Sequence, residues 1–180
     1  MSQTVLVRYG AIPEVARFAH DLAKIPVRHE HLVVNSHRGV ELGTTLESLR
    51  ATGAAPAGTT PESGEPDDQT PEIRVLRRAT PEDEARHAAL RREADQAYPQ
   101  WQQRIQEWKV DLELLDVEWT LDRQKLVLYV LGGRGAETTK LALQAAAAGL
   151  AVVEVQPVNA DGPIPVGGGG GCGSGNCGCH

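Results

Sequence analysis

Residues 111–131 read DLELLDVEWTLDRQKLVLYVL, and this stretch decides how the second half of the 180-residue chain is built. Leu112 and Leu114, then Val117 and Trp119, alternate with polar neighbours; Asp122 and Arg123 interrupt, and residues 125–131 form a second apolar run. Two strands joined by a tight turn account for that pattern. Upstream, Thr80, Pro81 and Asp83 place a hydroxyl, a proline and an acid where free backbone N–H groups open a helix. From there Leu90, Ala94, Ala97, Trp101, Ile105 and Trp108 recur every three or four residues on one stripe, read as core. Pro99 is expected to bend or break that helix, because proline has no N–H for the previous turn. Residues 73–77 read as a short strand before the helix. Beyond the hairpin, residues 136–148 read as a second helix ended by Gly149, and residues 150–156 as a last buried strand.

The order strand, helix, strand, strand, helix, strand predicts a ferredoxin-like βαββαβ unit over residues 72–160, an antiparallel sheet with both helices on one face. Residues 1–50 hold four further short apolar stretches: 4–9, 14–18, 31–35 and 40–46, with a turn at Ser36–Gly39. They predict a small N-terminal antiparallel β module, a sheet or a barrel. Residues 51–71 carry Pro56, Pro61, Pro66 and Pro71 with acids and few large apolar side chains, and read as a solvated linker. Residues 161–180 form a Gly/Cys-rich tail. The fold class expected is therefore α+β.

With 18 Lys and Arg against 24 Asp and Glu, the formal net charge is −6, so no global field draws the protein to nucleic acid or to anionic membrane. A hydrophobic share of 41% suffices for a core. No apolar run is long enough to span a bilayer, and the first residues lack the pattern of a signal peptide, so a cytoplasmic protein is expected. Thiols stay reduced there, and Cys172, Cys177 and Cys179, crowded near the end, read as a metal or redox site more naturally than as a disulfide framework.

Those cysteines form C-x4-C-x-C and are followed by His180; thiolates and imidazole are ligands for zinc and for iron–sulfur clusters. A fourth ligand could be His180, a partner's residue or a cysteine of a second copy, and a glycine-rich tail with unliganded thiols remains the other reading. Gly132, Gly133, Arg134 and Gly135 precede a helix, where phosphate could sit, but neither nucleotide-binding glycine motif is present and an ordinary turn is favoured. His29 and His31 would share one side of a strand and read as a polar edge. Asp116 and Glu118 read as a solvated strand face. No Ser/His/Asp set can be singled out, and a non-catalytic protein is expected. Arg74, Arg77, Arg78, Arg86, Arg91 and Arg92 are the one basic concentration, interleaved with Glu82, Asp83, Glu84 and Glu93. A charged helix face is favoured there over an RNA-binding patch.

Four strings together carry a resemblance: SHRGVELG from Ser36, VLRRATPED from Val75, LLDVEWTLDRQKLVLY from Leu114, and GGCGSGNC from Gly170. They resemble the polymerase-suppressor (PSP-one) C-terminal domain family, whose bacterial branch is YaaT/RicT-like. The resemblance implies a non-catalytic cytoplasmic adaptor that assembles with small helical regulators in a complex linked to an endoribonuclease, to RNA maturation and to cell-fate regulation. It also implies an iron–sulfur cluster held by Cys172 and Cys177. The adjacent cysteine of the family pattern is Gly178 here, with Cys179 one position later, and residues 132–139 replace an arginine- and aromatic-containing family segment.

Overall fold

The computed structural model describes residues 3–49, 73–132 and 135–164. Nine strands and two helices follow one another in these parts: β1 (Gln3–Tyr9), β2 (Glu14–His20), β3 (His31–Asn35), β4 (Val40–Leu49), β5 (Arg74–Arg78), α1 (Pro81–Glu107), β6 (Glu113–Trp119), β7 (Lys125–Leu131), α2 (Ala136–Ala147), β8 (Val152–Asn159) and β9 (Gly162–Pro163). They build a closed five-stranded barrel, in the order β1-β2-β5-β3-β4, and a four-stranded sheet, in the order β6-β7-β8-β9.

The expected β module is a barrel, but the first four strands do not close it. Strand β5 does, pairing antiparallel with β3 through Leu32↔Arg78 and Val34↔Val75 and touching β2 at Ala19↔Arg74. Alternate side chains fill the interior: Val5, Val7, Tyr9, Phe18, Leu32, Val34 and Val75 are all buried there. Extra residues on β4 and β5 shift the register, between Leu6 and Val7 against β4 and between Val33 and Val34 against β5. Such bulges bend the strands as closure demands.

The ferredoxin-like βαββαβ unit is overturned by this arrangement. Its first strand belongs to the barrel, because Val75 is needed in the barrel interior, and the remaining sheet is mixed rather than antiparallel. The hairpin of β6 and β7 is present, with Val117↔Leu128 and Trp119↔Leu126 in register. Helix α2 then carries the chain across one face, so β8 lies parallel to β7 from Lys125↔Val152 to Leu131↔Val158. Both helices do cover one face of the sheet. Ala94, Trp101 and Ile105 of α1 and Leu141 and Ala145 of α2 pack with Leu114, Val117, Leu126, Leu128 and Val130.

Helix α1 starts as its sequence dictates: Asp83 N donates to Thr80 Oγ1 at 3.3 Å and Thr80 N donates to Asp83 Oδ2 at 2.8 Å. It does not break at Pro99, and runs on to Glu107. Pro99 and Asp95, whose carbonyl loses its donor, are both exposed, so water can take the donor's place, while Ala94 and Trp101 on either side are anchored in the core. The helix also covers the outer edge of the sheet: Tyr98 Oη donates to Leu114 O at 2.8 Å and Arg91 Nη1 to Val117 O at 3.3 Å. No helix among the described residues is long and apolar enough to cross a membrane.

Candidate functional site at the seam between barrel and sheet

The second face of the sheet rests on the barrel, and the contact begins with an apolar patch. Val127, Tyr129 and Val158 pack against Ala11 and Ile12 of the β1–β2 turn. At the next position the barrel presents Arg38, from the turn between β3 and β4, with 0% of its surface exposed. The turn is set by Ser36 N donating to Gly39 O at 2.8 Å, with Gly39 at φ +134, a conformation glycine adopts without strain.

Arg38 is held from both sides. Its Nη1 donates to Tyr129 Oη at 2.6 Å, and its Nη2 lies 3.1 Å from Glu41 Oε1 and 3.8 Å from Glu14 Oε2. The guanidinium carbon stands 5.0 Å from the centre of the Tyr9 ring and 5.6 Å from that of Tyr129. Tyr129 Oη in turn donates to Glu118 Oε2 at 2.6 Å, and Ala11 N donates to the same oxygen at 2.8 Å. The Ser36 hydroxyl meets Glu41 Oε2. Glu41 and Glu118 are 4% and 8% exposed, so two carboxylates and a guanidinium share a space nearly free of water. Leu121 N donates to Val40 O at 2.7 Å and adds a backbone tie across the same seam.

Burial and the surrounding charges set the protonation of this cluster. Burial, followed by the carboxylate of Glu118, pushes Glu41 up to about 7, against the pull of Arg38 and the Ser36 hydroxyl. Tyr129 and Tyr9 are both raised well above the usual phenol range, first by burial, then by Glu118 in one case and Glu14 in the other. Despite its burial, Arg38 is raised above its ordinary value by Glu41, Tyr129, Glu118 and Glu14. His37 is lowered, mainly by burial, so its imidazole is neutral near pH 7. Beside this cluster opens a pocket of about 260 Å³ lined by Asn35, His37, Arg38, Thr120, Asp122 and Lys125, among others.

The arginine concentration foreseen in the sequence is largely neutralised. Arg74 pairs with Asp21 at 3.4 Å, Arg77 grips Asp83 through both nitrogens, Arg78 pairs with Glu30, and Arg91 reaches Asp95 and Asp116, each at 2.8 Å. Arg77 and the Thr80 backbone hold the Asp83 carboxyl well below the usual carboxylate range. Arg86 and Arg92 are exposed. His29 and His31 do not share a strand side. His29 sits in a turn at φ +67, and His31 opens β3 with its Nδ1 2.7 Å from Glu84 Oε1.

Of the glycine loop, Gly133 and Arg134 lie outside the described residues; Gly132 N donates to Val158 O at 3.0 Å and Gly135 caps α2. Cys172, Cys177, Cys179 and His180 also lie outside the described residues. Among the described residues no group of three or more His, Cys, Asp or Glu side chains is arranged to hold a metal ion.

Glu118 corrects one expectation outright: it is no solvated strand residue but the acid that anchors Tyr129. Arg38, Glu41, Glu14 and Tyr129 escaped the sequence reading, though three of these four, together with Glu118, stand in strings that carried the family resemblance: Arg38 and Glu41 in SHRGVELG, Glu118 and Tyr129 in LLDVEWTLDRQKLVLY. Their side chains meet across the seam. No curated protein and no solved structure matches the chain. A family model does match, over the 60 residues 73–132, one third of the length; the matched segment runs from the barrel-closing strand through α1 to the end of the hairpin and includes Glu118 and Tyr129. Over residues 73–132, therefore, the chain is similar to the PSP1 C-terminal conserved region.

Proposed function

We propose that this protein is a non-catalytic regulatory adaptor of the PSP1 type, similar to the YaaT/RicT-like branch. It works in the cytoplasm, docks small helical regulators and acts with an endoribonuclease complex in RNA maturation and cell-fate regulation. The observation that carries the reading is the match of residues 73–132 to the PSP1 C-terminal conserved region. The seam supports it in a second way: its charged residues are turned toward one another and join barrel to sheet, which suits a docking body.

In this reading Cys172, Cys177 and Cys179, with His180, hold an iron–sulfur cluster or zinc. The fit rests on donor chemistry, since three thiolates and one imidazole are donors of the right kind and number for either. Direct RNA binding through the arginines of residues 74–92 is the weaker alternative, because Arg74, Arg77, Arg78 and Arg91 already face carboxylates.

The reading is tested by purifying the full chain anaerobically beside a form ending at Ile164, each co-expressed with the small helical regulators of a YaaT/RicT-like complex. A stable complex, with iron or zinc near one site's worth per chain that disappears on truncation, is the expected result. Absence of a complex overturns the adaptor role, and absence of both metals overturns the tail site. RNA binding with a steep salt dependence that charge reversal at Arg86 and Arg92 abolishes would favour the alternative.

A further inference from the structure

Three carboxylates, Glu14, Glu41 and Glu118, converge on the single guanidinium of Arg38. Glu14 is 27% exposed and water can reach its charge, but Glu41 and Glu118 are nearly buried, and with both ionised one guanidinium would face two carboxylates that water cannot screen. The hydrogen bonds around Ser36 leave room for a proton that relieves the excess. The Ser36 Oγ accepts from Arg38 N at 3.1 Å and has two acceptors in reach for its one proton, Gly39 O at 3.3 Å and Glu41 Oε2. If Glu41 carries a proton, it can donate to Ser36 Oγ while the hydroxyl donates to Gly39 O, which also accepts from Ser36 N. Glu118 needs no proton, since Tyr129 Oη and Ala11 N already donate to it.

We propose that the seam is a proton-dependent joint: closing the barrel onto the sheet retains one proton on Glu41, and opening the seam releases it to water. The groups facing Glu41 come from every element packed there. They are Arg38 and Ser36 of its own hairpin, Glu118 of β6, Tyr129 of β7, Tyr9 of β1 and, through Arg38, Glu14 of β2. The raised Glu41 value agrees with the same sign. Closure then adds stability that is full below the ordinary glutamate range, near 4.5, and is lost as pH rises through about 7. His20 and His37, both lowered chiefly by burial, act in the opposite direction, losing stability as pH falls below the ordinary imidazole value of 6.5. A difference against Glu41→Gln therefore isolates the joint.

The experiment follows the glutamate side-chain carboxyl carbons of the full wild-type chain by NMR from pH 4 to 9, and compares urea unfolding of wild type and Glu41→Gln over the same range. Glu41 should titrate near neutrality, and the ratio of the two folding constants should change by up to about tenfold per pH unit between pH 5 and 7. Protection of the Leu121 amide, whose bond to Val40 O crosses the seam, should fall above pH 7 in wild type after correction for intrinsic exchange, and stay constant in Glu41→Gln. A Glu41 carboxyl already ionised at pH 5, or parallel unfolding curves, would overturn the proposal. Constant Leu121 protection in wild type would overturn the opening of the seam. The wild-type titration decides the question alone if the variant does not fold.

Discussion

Removing the hydroxyl of Tyr129 strips two partners at once, because that oxygen accepts from Arg38 and donates to Glu118. Tyr129→Phe is expected to cost roughly 1–3 kcal/mol in urea unfolding, the penalty of leaving buried polar groups short of partners. Gly10 makes a second point of the same kind. Its φ is +82, and a Cβ there would stand 2.6 Å from Arg38 Nη2 and 3.2 Å from Tyr129 Oη. Gly10→Ala should destabilise by more than about 1 kcal/mol, through backbone strain and displacement of the guanidinium together, and a thermal melt would show it. Neither effect can be read from composition. The sequence shows that Arg38, Glu41, Glu118 and Tyr129 sit in strings of a recognisable pattern, yet the spacing between Arg38 and Tyr129 carries no hint that they touch, since contacts so distant in sequence depend on how two sheets are laid together.

Among the elements, α1 is the best specified by its own residues. Thr80→Ala removes the acceptor for Asp83 N and is expected to cost about 1 kcal/mol, measured by chemical denaturation. Pro99→Ala should act in the other direction: a new N–H can reach the Asp95 carbonyl, and a gain of roughly 1–2 kcal/mol is expected, seen as a higher melting temperature. The helix, its cap and the β6–β7 hairpin were legible because each follows from local periodicity. Strand β5 was legible as a strand and misleading as a member of a sheet. Apolar alternation around Val75 says that one face is buried, and nothing in it says whether β3 or β7 lies alongside. Persistence of α1 through Pro99 was hidden for a related reason, since the packing of Trp101 and Ile105 that holds the far half in place is a tertiary matter.

At the scale of the whole molecule, the barrel is built from two separated stretches of chain. A fragment of residues 1–50 holds β1 to β4 but leaves β2 and β3 without the strand between them, so it should not fold alone. Far-ultraviolet circular dichroism and dispersed amide resonances would reveal a folded fragment if that expectation is wrong. The closing strand also imposes an order of events on synthesis. As the chain leaves the ribosome, the first four strands emerge with Phe18, Leu32 and Val34 still facing an open side. Val75 must follow before that side is covered, and Glu118 and Tyr129 later still before Arg38 is neutralised from without. A nascent barrel therefore waits, unsealed, for the translation of residues 73–132, and that interval is when a chaperone would find it.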